Sequence, residues 1–175
     1  MGATERTDWP IVLGLLDLDK GGPSLGPALL HDIAEAIPDG TRIVDIGAES
    51  EVLRKLTQGR CEYIGGGPVA GPGVIEWDCT SGWPPAELRG HDLVVFDGVT
   101  ERLADPASAI RALTACAPWG FFTYAVAEKR SAERPGVWVN AFSEQEFRDL
   151  LEHAGWTPVA SGDRRGHIIV EARKA

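Results

Sequence analysis

Cysteine is scarce in this chain and badly spaced for chemistry. The 175 residues hold three, Cys61, Cys79 and Cys116. They are far apart and odd in number, so neither a paired disulfide framework nor a C-x-x-C motif is available. Reduced thiols in a cytoplasmic protein are the expectation. The four histidines, His31, His91, His153 and His167, are scattered as well, and no metal site is expected. Positive charge is also short. Seventeen Lys and Arg against 26 Asp and Glu give a net charge of −9, whereas binding to phosphate backbones needs clustered Lys and Arg. This argues against a nucleic-acid binder. No apolar run is long enough to span a membrane. The first residues, Met-Gly-Ala-Thr-Glu-Arg-Thr-Asp, lack the basic and apolar regions of a signal peptide. A small-molecule substrate is the default partner, with a homodimer or other protein partner left open.

What is present is a regular alternation of short apolar runs and helical segments, in a chain long enough for one substantial core. Residues 42–47, 61–64, 74–77, 92–96 and 120–126 read as five strands. The fourth is an unbroken apolar run, as a buried parallel strand requires. Helices are expected from Ser24 to Ile37 and from Ser50, as N-cap, to Gln58, with Gly59 as the stop. A short helix is expected at 84–88. Asp105 and Pro106 supply an N-cap and a first helical residue for a helix reaching Cys116. Ser143 and Glu146 form a capping box for a helix ending near His153. The segment 11–18 fits a short helix or strand, and 128–136 reads as a charged surface loop. Strands at 156–160 and 167–172 flank a turn at 161–166 and form an antiparallel hairpin. The expected fold is α/β: a three-layer sandwich around a mostly parallel seven-stranded sheet closed by a C-terminal antiparallel hairpin. One domain is expected over 1–175, with 1–23 as an N-terminal arm or lid and 24–175 as the core.

Several stretches fall in a family order. They are Val44-Asp-Ile-Gly47, Tyr63-Ile-Gly65, Glu76-Trp-Asp78-Cys79, the run from His91 through Asp97 to Asp105-Pro106, and Phe142-Ser-Glu-Gln-Glu-Phe147 through Gly155-Trp156. In this order and spacing the chain resembles the class I S-adenosylmethionine-dependent methyltransferases over about residues 24–173. The resemblance implies S-adenosylmethionine as cofactor. It also implies a site built from Asp45, Gly47, Ala48, Gly67, Asp78, Cys79, Asp97 and Gly98, with Asp97 and Tyr124 as candidate catalytic groups. Asp78 and the Cys79 backbone would face adenine, with Trp77 or Trp83 as a stacking face. Asp97 would contact the cofactor's amino group or orient a nucleophile.

The chain departs from the family pattern at the glycine-rich turn, at the end of strand two and after strand four. Glu49 and Glu51 stand where that turn has glycines. A Glu49 carboxylate 4 Å from the cofactor's own would repel it by about 4 kcal/mol at an effective dielectric near 20, roughly a thousandfold in affinity, unless it turns away or meets a cation. Glu51 also fits as an acid in the first turn of a helix. Gly67 stands where an acid would bind the ribose hydroxyls. Glu101-Arg102 replaces a Glu-His pair, and arginine cannot act as a general base. His153, His167 and Glu128 are further proton-transfer candidates without supporting spacing. Three functions compete: a divergent small-molecule methyltransferase, the same fold repurposed for cyclase, isomerase or lyase chemistry through its carboxylates, and a non-catalytic methyltransferase-like partner or regulatory subunit.

Overall fold

The computed structural model describes Trp9 and residues 25–47, 51–130, 136–164 and 166–175. The expected arm or lid apart from Trp9, the helix start at Ser24, and Ala48, Glu49 and Ser50 lie outside the described residues. So do residues 131–135 of the expected charged loop.

Seven strands form one sheet: β1 (Arg42–Ile46), β2 (Glu62–Gly67), β3 (Val74–Glu76), β4 (Leu93–Phe96), β5 (Trp119–Ala125), β6 (Trp156–Arg164) and β7 (His167–Lys174). Their order is β3-β2-β1-β4-β5-β7-β6. The first five run parallel. β7 is antiparallel to β5, and β6 to β7. The order reverses between β1 and β4, which opens a crevice at their C-terminal ends.

Two apolar layers flank the sheet. On one side α1 (Leu25–Ala36) and α2 (Val52–Thr57) cover Ile43, Leu93, Val95 and Phe121. On the other, α3 (Pro106–Ala112) and α5 (Glu144–His153) cover Val44, Val94, Phe122 and Trp156. All four residues of β4 are fully buried, as its unbroken apolar run requires. At the opposite edge from the crevice, Asp92 accepts the Arg42 backbone N–H and two guanidinium N–H groups (2.9, 3.2 and 2.8 Å), locking the starts of β1 and β4 together. Trp9 is buried on the α1 side, stacked on Trp119 at 6.2 Å, and donates its indole N–H to Glu171 at 2.8 Å. It therefore covers the half of β5 remote from the crevice.

Punctuation legible in sequence is formed as expected. Asp105 caps α3 through the Ser108 N–H, and Ser143 and Glu146 exchange both bonds of a capping box. Other expected boundaries shift. The helix from Pro106 ends at Ala112 and tightens into a 3-10 turn over Leu113–Ala115. Ala127–Arg130 is a helical turn, α4, where a loop was expected. The hairpin strands run on to Arg164 because Ser161, Gly162 and Asp163 continue the ladder with Val170, Ile169 and Ile168. Pro158 is tolerated because β6 is an edge strand, and the register shifts between Pro158 and Ala160. Replacing Ser143 with Ala removes the capping acceptor and should lower stability by about 1 kcal/mol, read as a lower urea midpoint at unchanged slope.

Candidate functional site

A cleft of about 200 Å³ lies at the crevice. β1 contributes Ile46 and Gly47, and the end of β2 contributes Gly67 and Pro68. Trp77, Asp78 and Cys79 follow β3, and Val99, Arg102 and Leu103 follow β4. Its floor is backbone by necessity. Gly47 has φ +84°, and a Cβ there would stand 2.2 Å from Val99 Cγ2. Its N–H donates to the Gly66 carbonyl at 2.8 Å, and a Cβ on Gly66 would meet Ile46 Cδ1 at 2.6 Å. Gly67 is different: a Cβ there meets only Val74 Cγ1, at 3.8 Å, so this position has room for a side chain.

Behind the floor, three acids gather at the strand ends. Asp45 is 5% exposed and accepts the Tyr63 hydroxyl at 2.7 Å. Burial pushes its carboxyl up to about 7 against the pull of that bond, with Asp97 adding to the rise. Tyr63 is itself pushed up by burial and by Asp45. Asp97 accepts the Thr123 hydroxyl at 2.6 Å, and that hydroxyl in turn accepts the Gly98 N–H at 3.0 Å. Burial raises Asp97 and Thr123 opposes it. Glu101 is buried in the 3-10 turn Thr100–Arg102. Its Oε1 accepts the Ala125 N–H at 2.8 Å, while Oε2 has no hydrogen-bond partner among the described residues. Burial raises its carboxyl too, with Asp97 adding and Arg102 opposing.

Asp78 is exposed at the other end of the cleft. Its Oδ1 accepts the Thr80 N–H at 2.9 Å and the Thr80 hydroxyl at 2.7 Å, and the Thr80 bonds hold its carboxyl below the usual range. It thus caps its own turn while lining the cleft. The buried Cys79 thiol is pushed up to about 11 by burial, which leaves it unreactive.

Gly47, Gly67, Asp78 and Cys79, all expected in the site, line one cleft. Asp97 and Gly98 stand at the strand edge beside it, and Ala48 lies outside the described residues. Tyr124 is placed elsewhere. It is fully buried, stacked on Phe147 at 4.8 Å, donates to Asn140 Oδ1 and accepts the Phe142 N–H, both at 2.8 Å. A hydroxyl committed in this way holds loops together and does not reach a substrate. Trp77 lines the cleft, whereas Trp83 is 65% exposed in a separate groove against α3. His153, at the exposed end of α5, His167, beside Trp138, and Glu128, on α4, do not line it either. Glu51 pairs with Arg54 and Lys55 at the start of α2.

Tyr63, Thr123 and Asn140 were not identified from the sequence. Thr123 and Asn140 are polar residues inside apolar runs, which is the available signal, and Tyr63 stands beside Glu62 without one; the partners of Tyr63, Thr123 and Asn140 are 18, 26 and 16 positions away. Among the described residues no group of three His, Cys, Asp or Glu could hold a metal ion, and no helix is long and apolar enough to cross a membrane.

No protein-family model matches the chain, and no curated protein does. Solved structures do. One similar structure is the 1,6-didemethyltoxoflavin-N1-methyltransferase of Burkholderia thailandensis, with 1,6-didemethyltoxoflavin and S-adenosylhomocysteine bound. It is 19% identical, the match covers 86% of this chain and 76% of that one, and the TM-score is 0.61. A SAM-dependent methyltransferase from Aquifex aeolicus is 15% identical, matched over 87% of this chain and 100% of that one at TM-score 0.63. Mitomycin 7-O-methyltransferase is 21% identical at TM-score 0.63, over 86% of this chain; the match spans about half of that longer protein, 54%. At these identities the likeness establishes the fold, and the chain has the fold of the class I S-adenosylmethionine-dependent methyltransferases.

The raised Asp45 carboxyl makes a linkage prediction. A folded pKa above the unfolded one gives stability that is fully present below about pH 4 and lost as pH rises through about 7. Asp45→Asn removes that loss while keeping an acceptor for Tyr63. Relative to wild type, the variant should gain stability between pH 4 and pH 8, by at most about 4 kcal/mol, in denaturant titrations at the two pH values. An equal difference at both would contradict the assignment.

Proposed function

We propose that this chain is a small-molecule methyltransferase that uses S-adenosylmethionine as methyl donor. The observation that carries this reading is the cleft itself. It stands at the strand-order reversal, is floored by Gly47 and ends at Asp78-Cys79, the stations the family resemblance requires, in their order. The fold likeness to methyltransferases acting on small molecules supports it.

The residues suit such a ligand. The absence of a Cβ at Gly47 lets a ligand approach backbone. Asp78, fixed by Thr80 and kept ionised, together with the Cys79 backbone, would hold the adenine. Trp77 and Val99 supply apolar walls. Asp45 and Asp97 are raised by burial, and a ligand ammonium at their end of the cleft would relieve that cost. Bound there, the donor supplies an electrophilic methyl group on a sulfonium. The protein's part is then to align the acceptor and exclude water, since direct displacement depends chiefly on orientation. The repurposed-enzyme reading is less well supported, because Asp45, Asp78 and Asp97 are each engaged with a separate protein hydroxyl, those of Tyr63, Thr80 and Thr123. The single-domain organisation over 1–175 belongs to this proposal.

Titration calorimetry with S-adenosylhomocysteine tests it. One site per chain is expected, and absence of heat at about millimolar ligand would overturn the reading. Gly67→Asp installs the missing ribose acceptor where there is room for it, and should tighten binding about tenfold or more. Gly47→Val should abolish binding, since its Cβ must displace Val99.

A further inference from the structure

β5 outruns its neighbour at the C-terminal edge of the sheet. The β4 ladder ends with Phe96 opposite Phe122, so among the described residues Thr123, Tyr124 and Ala125 have no strand beside them on that side. Two acids from the segment after β4 fill the gap. Asp97 accepts the Thr123 hydroxyl at 2.6 Å, and Glu101 Oε1 accepts the Ala125 N–H at 2.8 Å. Two residues of strand span about 7 Å, so the two carboxyl groups are anchored close together. Asp97 adds to the rise of both Asp45 and Glu101, which puts it between them. It is half-buried and Gly98 is exposed, so the row meets solvent at this point.

Glu101 is left incomplete. It is 3% exposed, and its Oε2 has no hydrogen-bond partner among the described residues. The Thr100 hydroxyl on the same turn is fully buried without one too. A buried polar atom left unmatched is costly, and in native proteins such atoms mark catalytic or ligand-binding places. Arg102 does not complete the acid, since Asp97 raises Glu101 by more than Arg102 lowers it. The turn also carries apolar groups held outward. Asn140 donates to the carbonyls of Thr100 and Leu103 at 2.6 and 3.0 Å, and the Val139 N–H donates to the Glu101 carbonyl at 2.8 Å. These bonds hold residues 137–140 against the turn, yet Val137 and Val139 are 65% and 61% exposed. Apolar side chains fixed in solvent beside a binding cleft suit the body of a ligand.

Resting on the methyl-donor reading above, we propose that the acceptor is an apolar amine, and that Glu101 holds its nitrogen through Oε2 and takes up its proton. Asp45 and Asp97 are left for the donor's ammonium, and Glu101 stands at the far end of the row from Asp45. The valines meet the apolar body. An amine arrives in its ammonium form, which the acids attract. Out of water the charged pair loses its hydration, so the proton passes from nitrogen to Oε2 and leaves both partners neutral. The freed lone pair forms the N–CH₃ bond as the S–CH₃ bond breaks. The electron pair of the broken bond goes to sulfur, a neutral thioether leaves, and the nitrogen takes the positive charge. The Glu101 proton returns to water when the methylammonium product departs. The base that the chain lacks at Arg102 is thus supplied one residue earlier.

Calorimetry on the full chain saturated with S-adenosylhomocysteine tests this, with 2-naphthylmethylamine, 2-naphthylmethanol and 2-naphthoate as probes. The amine should bind about ten- to hundredfold more tightly than the alcohol or the carboxylate. Either of those binding as tightly as the amine overturns the proposal, and this ranking in the unaltered protein decides the acceptor class whether or not a variant folds. Glu101→Gln keeps the shape and the acceptor for Ala125. It should bring the amine down to the alcohol's affinity, with S-adenosylhomocysteine affinity unchanged within about twofold. An amine preference that survives in Glu101→Gln overturns the assignment. So does a variant that loses S-adenosylhomocysteine but keeps 5′-methylthioadenosine, which lacks the amino-acid part, since Glu101 would then hold the donor's own ammonium. The three probes repeated without S-adenosylhomocysteine separate the two claims: amine preference intact in a chain that binds no S-adenosylhomocysteine defeats the donor reading alone.

Discussion

There is no room for side chains where β1 meets β2 at the C-terminal edge of the sheet. Gly47 donates to Gly66, and Cβ atoms at either position would run into Val99, Ile46 or Leu88. This close approach brings the ends of β1, β2 and β4 together and leaves bare backbone as the floor of a cleft. The strand-order reversal supplies the crevice, Gly47 lets it reach down to main chain, and Gly66 lets the strand pack close on Ile46 and Leu88 beneath it. The cleft walls then follow from the segments that leave these strands: Trp77 to Cys79 after β3, and Val99 to Leu103 after β4.

The second constraint is electrostatic. A chain of net charge −9 places Asp45, Asp97 and Glu101 out of water at one edge of its sheet. Burial raises all three, because the ionised form loses its hydration. Tyr63, Thr123 and the Ala125 N–H each offset part of that cost with one hydrogen bond. Structural carboxylates are usually matched by cations or by several donors. These three are met by neutral donors, a tyrosine hydroxyl, a threonine hydroxyl and backbone N–H groups, and they make the edge receptive to positive charge. The cleft wall after β4 has the opposite character, with an exposed arginine above an inward-facing glutamate. Negative charge behind the floor and positive charge on the wall polarise a small site without any metal ligand set among the described residues.

Most of the architecture was legible in the sequence. The five parallel strands, the closing hairpin, the caps at Asp105 and Ser143 and the stop at Gly59 all appear where periodicity and punctuation put them. Two differences lie at element ends, where α3 shortens into a 3-10 turn and the hairpin extends by continued pairing, and one is a new element, α4, in place of part of a loop. Boundaries depend on the last hydrogen bond of an element, and local propensity says little about that bond.

The site was legible only in part. Gly47, Gly67, Asp78 and Cys79 were reached through the family resemblance, whose motifs sit at strand ends, and strand ends are local features. The direction in which each side chain turns was not local. Asp45 faces Tyr63 across 18 positions, Asp97 faces Thr123 across 26, and Tyr124 is drawn into the core by Asn140 across 16. The sequence by itself determined which elements form and in what order, because helix and strand periods, glycine stops and capping residues act within a few residues. Only the tertiary structure decided which acids are buried, which tyrosine is merely a strut, and that Arg102 rather than Glu101 faces the cleft. Those outcomes depend on hydrogen-bond partners that meet only after distant strands have paired.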